Sequence, residues 1–341
     1  MFVDGGVVVY SASDLTIAAA CEFGLLRRLD AKLGRRPLEI AEDPMRERAA
    51  RMGDRHEAQL LLEMRERFGP WDPATGRGVA EIARPASYSV AALVAKHAET
   101  VEVLTTGADV VFQAGFFDGR FSGWADFVIR EDRRYTVHDA KLARRAKVTA
   151  LLQLAAYADQ LISAGVPITE HVSLILGDRT VTTHKTADLL PVYRERRARL
   201  QELVDQHAAE RGWVVWGDAR YRACGRCEVC TPEVEASRDV LLVAGLRSTQ
   251  RSHLQAAGIT TIDDLAVADE VPGIATATLS VLRAQAGLQV AQDPPAPGGG
   301  SPTGAASFPA WSPLPTPSRV ALSYIWMAVR QVHNCRVIGN A

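Results

Sequence analysis

Three residues of this chain have types and a spacing suited to phosphodiester hydrolysis. Asp126 sits in the segment Gly123-Trp124-Ala125-Asp126-Phe127-Val128, which alternates as a strand does. Asp139 and Lys141 stand at the end of the next such segment, in Val137-His138-Asp139-Ala140-Lys141. In a strand the side chains at i and i+2 leave the same face, so Asp139 and Lys141 point to one place. Hairpin pairing of the two segments brings Asp126 beside Asp139 at one end of a sheet. Two carboxylates can hold one or two hard cations, Mg²⁺ or Mn²⁺, through oxygen. Such an ion lowers the pKa of a bound water and neutralises charge on a phosphate. A lysine beside it orients the water or stabilises charge that develops. A bare D…D-x-K pattern is short and common at charged strand ends, so its company matters.

That company has three parts. His56 lies upstream in His56-Glu57-Ala58-Gln59-Leu60, which lacks the second histidine of a HExxH zinc site. Gln153 and Tyr157 lie downstream, four apart, and share one face of the helix that follows the lysine. Cys224, Cys227 and Cys230 form a C-x2-C-x2-C run, a spacing that wraps three thiolates around one inorganic centre. Cys21 is available as a fourth ligand, and an all-thiolate zinc site accepts the same four residues. Clustered cysteines in a reducing compartment point to metal before disulfide. The fifth cysteine, Cys335, has no obvious partner.

The elements that must position these residues read as α/β. A Ser-x-x-Asp cap opens a helix over 11–35, and a long helix over 43–68 carries His56. A Gly- and Pro-bearing loop spans 70–87, and a helix is expected over 88–97. From residue 100 the segments VEVLTTG, VVFQAGFFDG, RFSGWADFVIRE and RRYTVHDAK read as a β-meander, with turns at Asp118-Gly119 and 131–134. A helix over 147–165, strands at 171–178 and 180–185 and a charged helix over 188–210 complete a mixed sheet flanked by helices. A small helical unit follows over 239–288, then a Pro/Gly-rich tail over 289–341, expected to be disordered.

A chain of 47% hydrophobic and 23% charged residues has the composition of an ordinary globular protein, and its net charge of -1 announces no global field for nucleic acid. No apolar run reaches the ~18 residues that span a bilayer, and the first residues do not read as a secretory signal. A cytoplasmic protein without a membrane partner is expected. No Walker-type ATP motif is present.

The order His56…Asp126…Asp139-x-Lys141…Gln153-x-x-x-Tyr157, enclosed by the cysteines, resembles the RecB-like nucleases of the PD-(D/E)xK superfamily over about residues 8–235. It is also similar to the CRISPR-associated RecB-like exonucleases. The resemblance implies a restriction-endonuclease-like core. It implies His56, Asp126, Asp139 and the carbonyl of Ala140 as Mg²⁺ or Mn²⁺ ligands and Lys141 as the catalytic lysine. Gln153 and Tyr157 would position DNA. Cys21, Cys224, Cys227 and Cys230 would hold a [4Fe–4S] cluster that clamps the two ends of the domain. Many relatives carry Glu where this chain has Asp139. The function implied is a metal-dependent deoxyribonuclease, of the exonuclease kind, acting on single-stranded or end-processed DNA in repair or recombination, with a helicase or other repair protein as partner. Arg144 and Arg145, with Lys147, follow the lysine and could meet phosphates. The rival readings are a non-catalytic DNA-binding or scaffold module derived from a larger helicase-nuclease, and a zinc-stabilised adaptor.

Residues 253–286 resemble a helix-hairpin-helix module, with turns at Gly258-Ile259 and Val271-Pro272-Gly273-Ile274. Such turns offer backbone N–H groups to phosphate. Ala275 stands where many hairpins have a second glycine, and a packing or protein-contact module fits equally.

Overall fold

The computed structural model describes residues 1–292. The Pro/Gly-rich segment expected beyond Gln292, with Cys335, lies outside the described residues. A short antiparallel hairpin of β1 (Phe2–Asp4) and β2 (Val7–Val9) leads into α1 (Ala12–Ala20) and α2 (Glu22–Lys32). The single helix expected over 11–35 is thus two. Cys21 separates them in an extended conformation, φ -159°, closing α1 and capping α2, where its sulfur accepts from Gly24 N–H at 3.2 Å. The break turns the thiol out of the helix line.

The long helix α3 (Pro44–Phe68) begins at the cap of Asp43 and is followed by β3 (Val79–Glu81) and α4 (Val90–Thr106). Here the sequence reading fails, because VEVLTTG is the end of α4 and not a strand. Its β-branched residues suit a strand locally, yet Leu93, Thr100 and Leu104 recur at helical spacing and bury one face. Gly107, at φ +108°, ends the helix.

The sheet proper follows, with β4 (Val110–Phe117), β5 (Ser122–Glu131), β6 (Arg134–Lys141), β7 (His171–Leu176) and β8 (Val181–Lys185). Its six strands run in the order β3-β4-β5-β6-β7-β8. β4, β5 and β6 form the expected antiparallel meander, while β3 joins β4 and β7 joins β6 in parallel. The crossover from β6 to β7 is α5 (Val148–Ser163), and α6 (Thr186–Ala209) follows β8. One face of the sheet meets α1, α2, α5 and α6 in the main apolar core, where Leu154, Ala155, Ala158 and Leu161 of α5 are wholly buried. The other face is covered in part by α3 through Leu60, Leu61, Met64 and Phe68.

The central strands change faces midway. Val111 and Ala114 of β4 both belong to the main core, as do Val128 and Ala125 of β5. Residues three apart on a regular strand lie on opposite faces. The switch falls at Gln113, whose φ is +54°, and at Asp126 across from it in register. A non-glycine residue in this region is strained, a feature that clusters at functional sites.

After the domain, α7 (Cys230–Ala236), a 3-10 turn at Val240–Leu242, α8 (Ser248–Ala256), α9 (Ile262–Ala266) and α10 (Thr276–Gln292) follow. From Val240 onward they share a small core of their own around Leu254, Leu265 and Leu279. α10 runs past the boundary expected at 288. No helix among the described residues is long and apolar enough to cross a membrane.

Close packing of α5 on β5 depends on Gly123. A Cβ there would stand 2.6 Å from Tyr157 Cε1 and 2.9 Å from Phe121 Cζ, and two aromatic rings would have to give way. Gly123→Ala should therefore destabilise the fold by about 1–3 kcal/mol. A lower urea midpoint at unchanged m-value is the expected reading.

Candidate metal and catalytic site

β5 and β6 are paired as far as Phe127 and His138, and then the ladder stops. The next facing positions are Asp126 and Asp139. The backbone N–H of Ala140 does not find a carbonyl on β5 and donates instead to Asp126 Oδ2, at 2.8 Å. A side chain has replaced a rung of the ladder, which fixes the Asp126 carboxylate between the parting strands. Asp139, on the main-core face, has no solvent exposure, and neither of its oxygens receives a hydrogen bond of good geometry from the described residues. Lys141, two residues on, lies with its Nζ 2.5 Å from Asp139 Oδ2. The structure thus brings Asp126, Asp139, Ala140 and Lys141 together.

The electrostatics follow from burial. Burial, and then the neighbouring Asp126, push the Asp139 carboxyl well above the usual carboxylate range. Burial acts against the Lys141 charge, but Asp139 and Asp126 outweigh it and hold the ammonium protonated beyond its ordinary range.

α3 supplies the third side of the site, packing on β6. His56 lies on it, half-buried, with Nε2 hidden from solvent and without a hydrogen-bond partner among the described residues. The structure does not gather His56 with the two aspartates at ligand distance. Among the described residues the four cysteines are the one group of three or more His, Cys, Asp or Glu side chains placed to hold a metal ion, their sulfurs all within 4.8 Å of one another.

The neighbour of His56 is a site residue that sequence reasoning missed. Glu57 continues the inward stripe of Leu60, Leu61, Met64 and Phe68, so it faces the sheet. Burial, and then Asp126, raise its carboxyl to about 7. Gln113 Nε2 donates to Glu57 Oε1, and Gln113 Oε1 accepts from Arg84 Nη2 at 2.7 Å. The signal was a carboxylate on the apolar face of a helix.

Gln153 and Tyr157 lie on α5 as expected, with Gln153 Nε2 donating to the Tyr157 hydroxyl at 3.3 Å. Tyr157 is buried, and its phenol is pushed far up, first by burial, with Asp139 and Asp126 adding to it. Gln153 stands between two clefts. One, of about 410 Å³, is lined by Lys141, Arg145 and Lys147 among others. The other, of about 300 Å³, is lined by Asp126, Trp124 and Tyr157 among others. Arg144 is exposed and lines neither of these two clefts.

The cysteines meet at a second centre. Cys21 Sγ lies 3.4 Å from Cys230 Sγ, and Cys224 Sγ lies 3.9 Å from Cys230 Sγ. All four are free thiols. A hydrogen bond with Cys230 lowers the Cys21 thiol, and the same contact, with burial, raises Cys230, so the pair shares a proton. Gly24 permits the approach: a Cβ there would stand 3.2 Å from Cys21 Sγ and 3.4 Å from Cys227 Sγ. The four thiols can hold a metal ion or an iron–sulfur cluster.

No family model and no curated protein matches the chain.

A buried acid whose native pKa is raised binds its proton more tightly when folded, so its contribution to stability falls as pH rises through the window between the two values. For Glu57 that window runs from its ordinary range to about 7. Without added divalent cation, Glu57→Gln should therefore gain melting temperature relative to wild type as pH is raised from about 5 to about 8. Mn²⁺ should stabilise the wild type more at the upper pH, since the cation binds the ionised carboxylates. Parallel pH profiles for the two proteins would contradict this placement of Glu57.

Proposed function

We propose that residues 8–235 form a metal-dependent DNA nuclease on a restriction-endonuclease-like core. The observation that carries the reading is the parting of β5 and β6 at Asp126 and Asp139, with Lys141 against a carboxylate that is fully buried and has no well-formed hydrogen bond. A carboxylate pair so placed is costly unless a cation joins it. Asp126, Asp139, the carbonyl of Ala140 and His56 would hold Mg²⁺ or Mn²⁺, which supplies charge neutralisation at phosphate and acidifies water. His56 would need to close on the aspartates to take part. Lys141 keeps its proton and places positive charge at the reacting phosphate. Gln153 and Tyr157 hold the wall against which the strand lies. Arg145 and Lys147, in the cleft beside Lys141, meet neighbouring phosphates, with Arg144 at its margin. The substrate class we favour is single-stranded or end-processed DNA, cut as an exonuclease would in cytoplasmic repair or recombination, with a helicase or other repair protein as partner.

At the cysteines we propose a structural [4Fe–4S] cluster, supported by the C-x2-C-x2-C run and the thiol of Cys21. A single zinc ion is the second reading, and the sulfur spacing favours it. Two of the separations, 3.4 and 3.9 Å, lie near the ~3.8 Å edge of a tetrahedron with zinc–sulfur bonds of about 2.3 Å, and all four sulfurs fall within 4.8 Å of one another. A cluster would hold its thiolates wider apart.

Two measurements test these readings. Purified protein should degrade end-labelled DNA only with Mg²⁺ or Mn²⁺ present, and Asp126→Ala or Lys141→Ala should lower the rate by roughly 10²–10³-fold. A Lys141→Ala variant as active as wild type would sink the nuclease assignment. Metal analysis of anaerobically purified protein should find about four iron atoms per chain, against one zinc if the second reading holds.

A further inference from the structure

The two clefts that meet at Gln153 differ in chemistry. The one beside Lys141 carries Arg145 and Lys147, with the hydroxyls of Ser13, Thr16 and Thr149. That is a wall for phosphates. The one at Asp126 has a single cationic side chain, Arg84, and aromatic and hydroxyl-bearing residues make up about half of its lining, Trp124, Tyr88, Tyr157 and Ser11 among them, beside Met1, Val9 and Ala12. At about 300 Å³ it admits one planar ring system and not a duplex.

Trp124 is fixed as a platform. Its six-membered ring lies on Gly115 of β4, where a Cβ would stand 2.7 Å from Cζ3. Val9, Leu93 and Phe117 pack around it. The Arg84 guanidinium stands over the ring, 5.8 Å from its centroid, and is itself held by Gln113. Tyr88, half-exposed, stands at the rim. Base-on-aromatic stacking with an arginine alongside is a general way to hold an unpaired base without reading its identity.

We propose that this cleft is a nucleobase subsite. It takes one unpaired base of the strand whose phosphate lies at Asp126, held against the part of Trp124 and the Arg84 guanidinium that face the cleft. The proposal rests on the nuclease reading above and deepens it. The cationic cleft follows the backbone on one side of Gln153, and the aromatic cleft takes a base on the other. A paired base reaches Trp124 only by leaving its stack, which adds an unstacking cost. The enzyme therefore prefers unpaired DNA and is indifferent to its sequence.

The test compares binding of two labelled strands by fluorescence anisotropy, with Ca²⁺ in place of Mg²⁺. One is a short oligodeoxythymidylate, and the other is the same backbone with abasic sites. The wild type should bind the thymidylate about tenfold more tightly. Trp124→Ala should remove that preference and leave the abasic affinity unchanged, while Trp124→Phe keeps most of it. A 2-aminopurine in the strand should be quenched by wild type and Trp124→Phe and not by Trp124→Ala. Equal affinity of the wild type for both strands overturns the subsite, and so does a Trp124→Ala variant that weakens both alike. Neither of those results touches the nuclease assignment if the protein still cuts DNA. A wild type that binds neither strand overturns both.

Discussion

Asp139 holds a carboxylate with no solvent exposure opposite a second carboxylate, one step past the last paired residues of two strands. Much of the domain can be understood as what that placement requires. Burying like charges together is unfavourable unless protons, cations or donors compensate. Lys141 contributes one positive charge on the same strand face, and the Ala140 N–H contributes one donor to Asp126. Glu57 then adds a third acid from α3, and the opposing cation, Arg84, acts through the amide of Gln113. The protein's own groups leave the centre short of positive charge, and the clefts around Gln153 open onto it. On the proposed reading, a divalent cation would supply the missing charge.

The backbone is shaped to the same end. A regular meander would pair Asp126 and Asp139 across a closed ladder and turn alternate residues of β4 and β5 to alternate faces. Instead the strands part, and Gln113 takes a left-handed conformation that lets both strands change faces. The switch puts Trp124 and Gly123 where they are needed. Trp124 lies on Gly115 over one side of the sheet, and Gly123 makes room for Tyr157 on the other. Local strain at Gln113 is offset by the bonds its side chain makes to Glu57 and Arg84.

How much of this could be read beforehand follows from the range of the signals. Strand alternation around Asp126 and Asp139, and the i, i+4 spacing of Gln153 and Tyr157, are local and placed those residues correctly. The helix α3 was legible from its cap at Asp43 and its composition. Glu57 was not singled out, because its meaning lies in what α3 packs against. Gln113 was invisible for the same reason, since nothing near it in sequence demands a positive φ. VEVLTTG misled because β-branched residues speak for a strand locally, while the burial of Leu93, Thr100 and Leu104 against β4 decides for a helix. The split at Cys21 is likewise tertiary, as the thiol must leave the helix line to meet residues 203 positions away.

That long closure raises the question of what holds the two ends together, and the thiols are only part of the answer. Asp30 of α2 is fully buried between His207 Nε2, at 2.7 Å, and the backbone N–H of Val214, at 2.9 Å. Arg35 donates to the carbonyls of His207 and Ala208 at 2.9 and 2.8 Å, completing the C-terminus of α6 with positive charge. Glu22, beside Cys21, accepts from Arg199 Nη2 at 2.6 Å and from the Arg222 backbone at 3.0 Å. These contacts join α2 to α6 and to the approach of the cysteine loop without any metal. They bring Cys21 and the turn at Cys224 to one place, and Gly24 lets the sulfurs close. A metal ion or cluster bound by the four thiols would therefore lock a junction that hydrogen bonds and ion pairs have already formed. It would add to a loop from Cys224 to Cys230 that the Arg28–Glu228 ion pair and the buried Cys230 already tie to the domain.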